Sequence, residues 1–433
     1  MRSNKKKKLL IIGATSYFID VINQAHELGM AVVMTDYNSQ AYAKKYADIA
    51  YDCDTTDLEG VLKIAEKENI DGVFVGWSDI HLYTALYICD QLRLPFYAKK
   101  NQLDCSVYKD NFKNMCIRNG VPTTKMYYTG NHMQDEIIDS INYPVIVKPV
   151  DNAGTRGISI CNSKDELLIG LANALLYSKC KRFIVEEYIE NKGFTFSAKY
   201  IIRNGEARLL CVGNRRVLGD GDIKALITSA TAYPAPYTQQ YIDTVDLSVR
   251  QMLKNEGFMN GQLFMEGIYT GKEFKFYEMG YRLSGGITYH ITDYLTGING
   301  MKMLINFSMT GEMCSEDEFQ KIDPFLKGGL ACSFAVLLRE GTVERIDGMD
   351  LIKRTEGVID VTQYYRLGQT VEKKDIGNVG QMFARFTVVG TTRERVLTLI
   401  NTIEDNLRVI DNNGNDMFIR NEDAHRVLSN WCL

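Results

Sequence analysis

The sequence predicts a mixed α/β and α+β chain, with a parallel-sheet domain first and an α+β module last. Three observations carry this. The opening residues alternate apolar strand-like runs with amphipathic helical runs, the signature of βαβ units. The middle combines helices with a strand-rich stretch over 194–231 and a hairpin. From about residue 325 the chain changes to short strands and turns (GGLACSFAVLL, GTVERIDG, GVIDVTQYY), then MFARFTVVG and a closing helix.

Each element follows from local pattern. Residues 6–12 read as a buried strand, Gly13-Ala14-Thr15-Ser16 as a tight turn, and Tyr17–Leu28 as a helix. Its apolar residues, Phe18, Val21, Ile22, Ala25 and Leu28, recur at helical spacing, and Gly29 caps it. Ala31–Thr35 forms a second strand ending at Asp36, which completes a right-handed, Rossmann-like βαβ unit. A helix over Leu58–Glu68, a strand over Gly72–Gly76 and a helix over Ile80–Leu92 extend it. The first turn holds one glycine where a dinucleotide fingerprint needs GxGxxG, so NAD binding is not expected. Asp36 is either a ribose ligand or a surface cap.

Further on, residues 105–122 read as a helix closed by Gly120. A strand follows over Pro144–Pro149, then a helix over Lys164–Tyr177 and a strand over Arg182–Glu187. Helices are expected over Asp243–Glu256, Leu304–Thr310 and Arg393–Asn406.

Composition narrows the function. The 433 residues are 45% hydrophobic and 24% charged with a net charge of −4, ordinary globular values without the basic excess of a nucleic-acid binder. The short run Lys5–Lys8 reads as a solvated terminus. Neither a secretory signal nor an apolar run long enough to span a membrane is visible. The ten cysteines form no CxxC and have no histidine at ligand spacing, so they read as buried thiols of a reducing cytoplasm.

The chemistry concentrates between Gly261 and Gly286, GQLFMEGIYTGKEFKFYEMGYRLSGG. Glu266 and Glu278 lie on the two arms of an apparent hairpin, and Arg282 follows. Alternation puts Phe274, Phe276, Glu278, Gly280 and Arg282 on one face. An even-numbered loop would place the glutamates on opposite faces. A three-residue loop, Thr270–Lys272, pairs Phe264 with Glu278 and makes Glu266 its diagonal neighbour, about 7–8 Å away. Two carboxylates at that separation converge on Mg²⁺, which completes its shell with phosphate oxygens and water. The alternative is two solvated glutamates on an exposed face.

Lys148 ends the apolar strand and precedes DNAGTRGISI, in which Asn152, Gly154, Thr155 and Gly157 would let backbone N–H groups approach phosphate. The loop lacks the GxxxxGK[ST] spacing of a P-loop. Lys109 lies in the preceding helix, and Glu186-Glu187-Tyr188-Ile189 ends a strand at a hinge-like position.

Taken in order, these motifs resemble the ATP-grasp superfamily over essentially the whole chain. The nearest likeness is to its carbamoyl-phosphate-synthase-like and amino-acid-ligase branch. The resemblance implies an ATP-grasp fold with a Rossmann-like domain over 1–103, an ATP-grasp domain over 104–312 with a mobile lid at about 123–186, and a C-terminal α+β domain over 313–433. It implies nucleotide contacts from Lys109, Lys148, Gly154, Thr155, Gly157, Glu186, Glu187 and Ile189. It assigns Mg²⁺ to Glu266 and Glu278, and a catalytic role to Arg282. Two positions depart from the pattern: Gly280 stands where asparagine is usual, and Thr195 where an acid is usual. Arg215-Arg216 and Ser284-Gly285-Gly286 are substrate-pocket candidates by position, and His290 is either a base or a structural histidine.

The implied reaction activates a small-molecule carboxylate as an acyl phosphate, using ATP and Mg²⁺, for attack by an amine. The substrates are then small molecules, with no nucleic acid or membrane partner, in the cytoplasm; a homodimer is the oligomeric expectation. Two other readings stand beside it. Bicarbonate is the activated carboxylate, or the chain is a nucleotide-binding regulatory protein with a degraded site.

Overall fold

The computed structural model describes residues 6–152, 156–217 and 227–429. Strands β1 (Lys8–Ile12), β2 (Ala31–Asp36), β3 (Ile49–Asp52) and β4 (Gly72–Phe74) form a parallel sheet in the order β3-β2-β1-β4. Alternation divides its core. Leu10 and Ile12 pack with Val61, Ala65, Leu82 and Ala85 of two helices, Leu58–Glu68 and Ile80–Leu92. Leu9 and Ile11 pack with Phe18, Val21 and Ile22 of the helix Phe18–Glu27, and with Leu304 and Ile305 of Gly300–Thr310. Burial on both faces is why β1 reads as an unbroken apolar run. β3 escapes the sequence reading because it is a short, half-exposed edge strand.

The helix expected over 105–122 is two helices, Lys100–Val107 and Lys109–Arg118. Tyr108 between them has extended backbone (φ −101°, ψ 112°), so Lys109 stands at a helix start rather than within one.

A second, antiparallel sheet contains β5 (Met126–Gly130), β6 (Val145–Pro149), β7 (Ser159–Cys161) and β8 (Phe183–Glu187), in the order β5-β8-β6-β7. The helix Lys164–Tyr177 covers it through Leu167, Leu171 and Ala174.

The largest sheet holds β9 (Phe194–Arg203), β10 (Glu206–Val217), β11 (Thr228–Tyr233), β12 (Gly261–Tyr269), β13 (Phe274–Gly280) and β14 (Leu330–Leu338). After β14 come β15 (Gly341–Asp347), β16 (Val358–Gln363), β17 (Thr370–Val371), β18 (Met382–Gly390), β19 (Arg408–Asp411) and β20 (Phe418–Ile419). The order is β13-β12-β9-β10-β11-β14-β18-β16, with β20 on β14; β17, β15 and β19 make a small sheet of their own. The stretch read as a separate C-terminal module therefore shares the large sheet, joined through β11 and β14.

One face of this sheet is apolar and covered by helices. Phe196, Phe274 and Phe276 meet Tyr241, while Phe334 and Phe386 pack with Leu399 and Ile403 of Arg393–Asn406. The helix expected over Asp243–Glu256 is present but interrupted: a π-helical turn, Ile242–Asp246, precedes Leu247–Asn255. The opposite face is polar and carries the site. No helix among the described residues is long and apolar enough to cross a membrane.

Candidate active site

Glu266 and Glu278 are direct Cα partners across β12 and β13. The loop between the strands is 270–273, four residues, with Thr270 N–H donating to the Glu273 carbonyl at 3.0 Å. An even loop alone would separate the glutamates. A β-bulge after Glu266 reverses the parity: Gly267 pairs with Phe276, Glu266 with Glu278, and Tyr277 is the extra residue. The expected three-residue loop and diagonal pairing are thus corrected. So is the expected shared face, because the bulge turns Phe274 and Phe276 into the core and Glu278 toward the polar side.

The two carboxyl groups are within hydrogen-bond reach of each other, and their environments differ. Burial, then the Glu266 charge, pushes the Glu278 carboxyl up to about 7. Burial also acts to raise Glu266, but the Arg215 guanidinium paired with it outweighs that and holds it below the ordinary carboxylate range. Two acids in contact repel when both are ionised, and a cation held between them would relieve that repulsion. Among the described residues no group of three or more His, Cys, Asp or Glu is placed to hold a metal. Two carboxylates are a donor set that fits Mg²⁺, with phosphate and water completing the shell.

Cations surround the pair. Lys109 Nζ donates to the Asn152 carbonyl at 2.7 Å and its charge acts on Glu278. Burial lowers its pKa. Lys148 Nζ sits 2.9 Å from Glu186 Oε2 and 5.1 Å from the centroid of the Tyr277 ring. Arg282 pairs with Asp79 at 2.5 Å, stacks over Phe264 at 5.1 Å, and lies close enough to Glu278 to feel its charge.

The Glu186 side chain is fully buried between Lys148 and Lys113, whose Nζ lies 3.0 Å from Oε1. Lys113 also donates to the Thr124 carbonyl at 2.6 Å. Glu187 pairs with Lys275 at 2.9 Å and accepts from Lys125 N–H at 2.8 Å. Ile189 is half-buried just beyond β8. Gly157 has φ +80°, and a Cβ there would approach Pro149 Cγ to 2.7 Å and Tyr177 Cβ to 2.8 Å. Gly154 and Thr155 lie outside the described residues.

Three residues that sequence reading passed over or ranked only by position belong to the site. Lys113 carried no motif signal beyond lying four residues after Lys109. Lys199, 1% exposed, donates to Tyr233 Oη at 3.0 Å and to Ser197 Oγ at 3.4 Å. Arg215 reaches Glu266, whereas Arg216 turns to the other face and pairs with Asp423 at 3.1 Å. Alternation in β9 and β10 could have singled out Lys199 and Arg215.

The two departures have physical causes. Phe264 is the cross-strand partner of Gly280, and a Cβ at Gly280 would collide with its ring. An aromatic ring thus occupies the volume that an asparagine side chain would need. Thr195 pairs with Arg215, which already has Glu266 as its counter-ion.

Comparison with known proteins places this architecture. A family model, D-ala D-ala ligase C-terminus, matches residues 117–254. The fold matches the L-amino acid ligase from Bacillus licheniformis with a TM-score of 0.76, at 18% identity over 94% of this chain and 100% of that one. The chain has the ATP-grasp fold. A second ATP-grasp likeness is to the biotin carboxylase domain of Hydrogenobacter thermophilus 2-oxoglutarate carboxylase, determined with MgADP, ADP and bicarbonate. The TM-score is 0.78, at 18% identity over 96% of this chain and 92% of that one. In sequence, the formate-dependent phosphoribosylglycinamide formyltransferase of Prochlorococcus marinus subsp. pastoris is 24% identical over 220 residues, 49% of this chain and 56% of that protein. The match spans only about half the length of such curated relatives.

Proposed function

We propose that this ATP-grasp protein is an ATP-dependent ligase that activates a small-molecule carboxylate as an acyl phosphate and joins it to an amine. The observation that carries the reading is the direct Glu266–Glu278 pair with Lys109, Lys148 and Arg282 converging on it. L-amino acid ligase and phosphoribosylglycinamide synthetase are among the proteins of like fold, which supports carboxylate–amine chemistry on this scaffold.

Glu266 and Glu278 would hold Mg²⁺, which when bound would neutralise charge on the nucleotide phosphates. Lys148 exchanges Glu186 for phosphate, and Lys109 offers a second point charge beside the glycine loop. Glu186, clamped by Lys113, keeps Lys148 extended toward the site before nucleotide arrives. Gly154, Thr155, Gly157, Glu187 and Ile189 keep their proposed nucleotide contacts, and residues 123–186 their role as a lid that excludes water from the acyl phosphate. Lys199 and Arg215, on the same face as Glu266, would draw the substrate carboxylate toward the γ-phosphate. Arg282 would stabilise charge developing on the transferred phosphoryl group.

The proposal includes a cytoplasmic homodimer, in keeping with nine free thiols among the described residues and the prevalence of symmetric dimers. Phosphate release from MgATP with pooled amino acids, compared with bicarbonate alone, tests the function. Stimulation by the amino-acid pool supports the ligase. Stimulation by bicarbonate alone transfers the site to carboxyphosphate chemistry, and no stimulation in either case contradicts both.

A further inference from the structure

The polar face of the large sheet continues well beyond the glutamates. From β10 the register sets Arg215, Thr231, Ser333, Thr387 and Asp360 in one cross-strand row. Arg385, two residues before Thr387, is the cross-strand partner of Thr362 on the same face. Arg385 and Asp360 are therefore diagonal neighbours, about 7–8 Å apart at the backbone.

This end of the face is buried but incompletely satisfied. Ser333 is 1% exposed, Thr387 0% and Arg385 6%. Ser333 Oγ, Thr387 Oγ1 and Arg385 Nε have no hydrogen-bond partner among the described residues. A buried polar group without a partner costs free energy, and three on one face call for a ligand or ordered water. Arg385 makes only a 3.4 Å contact to the Thr228 carbonyl, a 3.8 Å contact to Met382 Sδ and an approach to the Tyr364 hydroxyl.

The opposite charge is also held apart. Asp360 accepts from Thr362 Oγ1 at 2.9 Å and lies 3.6 Å from His290 Nε2. His290 is shared with Asp20, which lies closer at 2.9 Å. Tyr17 and Tyr364 form a wall between the first domain and β16, their hydroxyls in contact and their rings 5.8 Å apart. Space opens beside them: a Cβ on Gly285 would meet nothing within 4 Å. On Gly286 it would meet only Tyr233 Oη at 3.8 Å and Thr288 Oγ1 at 3.9 Å.

We propose that this junction is the amine-substrate site and that it selects a zwitterion, an α-amino acid whose carboxylate meets Arg385 and whose ammonium meets Asp360. A guanidinium and a carboxylate on one buried face, diagonal and not paired with each other, match the two charges of an amino acid. The hydroxyls of Thr387 on β18 and Ser333 on β14 continue the row from Asp360. The inference takes its role in the reaction from the ligase reading, but the binding it describes needs no ATP.

Calorimetric titration of the full chain without nucleotide tests it, using the standard L-amino acids, their C-terminal amides and their N-acetyl derivatives. At least one amino acid binds, and amidation or N-acetylation each weakens it about tenfold or more. Arg385→Gln removes the penalty for amidation only; Asp360→Asn removes the penalty for N-acetylation only. Arg385→Lys and Asp360→Glu retain part of each. If Arg385→Gln does not fold, the Asp360→Asn arm decides. Absence of binding by every amino acid, or penalties unchanged in both variants, overturns the site. Amino-acid binding without any ATP turnover leaves the zwitterion site standing and contradicts the ligase reading alone.

Discussion

Glu266 and Glu278 oppose each other across β12 and β13 because Tyr277 is bulged out of register between Phe276 and Glu278. The same residue then closes the site from one side, with Lys148 over its ring and its hydroxyl 3.4 Å from Glu266 Oε2. A single extra residue thus sets the carboxylate pair and packs against Lys148.

The raised Glu278 carboxyl makes the metal-free fold pH-sensitive. Its folded-state value is about 7 against an ordinary 4.5, so protonation favours the folded state. Its contribution is full below pH 4.5 and is lost as the pH rises through about 7. Urea unfolding at pH 5 and pH 8 without divalent cations should show a larger loss in the native protein than in Glu278→Gln, by on the order of 2 kcal/mol. Equal losses would contradict the assignment.

Lys113→Met should act on both stability and nucleotide affinity. It leaves Glu186 buried with one cation instead of two, at a cost of about 3 kcal/mol in urea unfolding. Lys148 then carries the whole Glu186 charge, so the KM for ATP should rise severalfold while kcat changes less. An unchanged KM would show that Lys113 does not position Lys148.

Restoring asparagine at position 280 should harm the fold rather than improve the site. Gly280→Asn drives a Cβ into the Phe264 ring, an overpacking that costs about 1–3 kcal/mol. Adding Phe264→Ala should relieve the collision, so the double variant unfolds at a higher urea concentration than Gly280→Asn alone. Strict additivity of the two changes would contradict the packing explanation.

Arg215→Met removes the guanidinium that holds Glu266 ionised. The Glu266 carboxyl then rises with burial, and the Mg²⁺ concentration needed for half-maximal turnover should increase about tenfold at pH 7. An unchanged Mg²⁺ requirement would separate Arg215 from the metal pair.

Much of this was legible in residue order. The β1 run, the helices after it, Lys148 at a strand end and the two glutamates all follow from period and composition. What escaped reading depended on contacts distant in sequence. The bulge at Tyr277 leaves no mark in alternation, because Phe274, Phe276 and Glu278 look equivalent until the cross-strand partners are known. The burial of the Glu186 side chain was not legible because its two lysines lie 73 and 38 residues upstream. Ser333, Thr387 and Asp360 carry no motif at all; only the joining of β11 to β14 brings them onto the face of Glu266. The same joining explains why the C-terminal stretch read as a separate module.

The central claim is that the paired glutamates hold the metal that makes ATP reactive. Phosphate release from MgATP with pooled amino acids, measured on the native protein and on Glu278→Gln at matched folded concentration, tests it most directly. The account predicts stimulated release by the native protein and a loss of roughly a hundredfold or more in the variant. Near-native turnover by Glu278→Gln would contradict it.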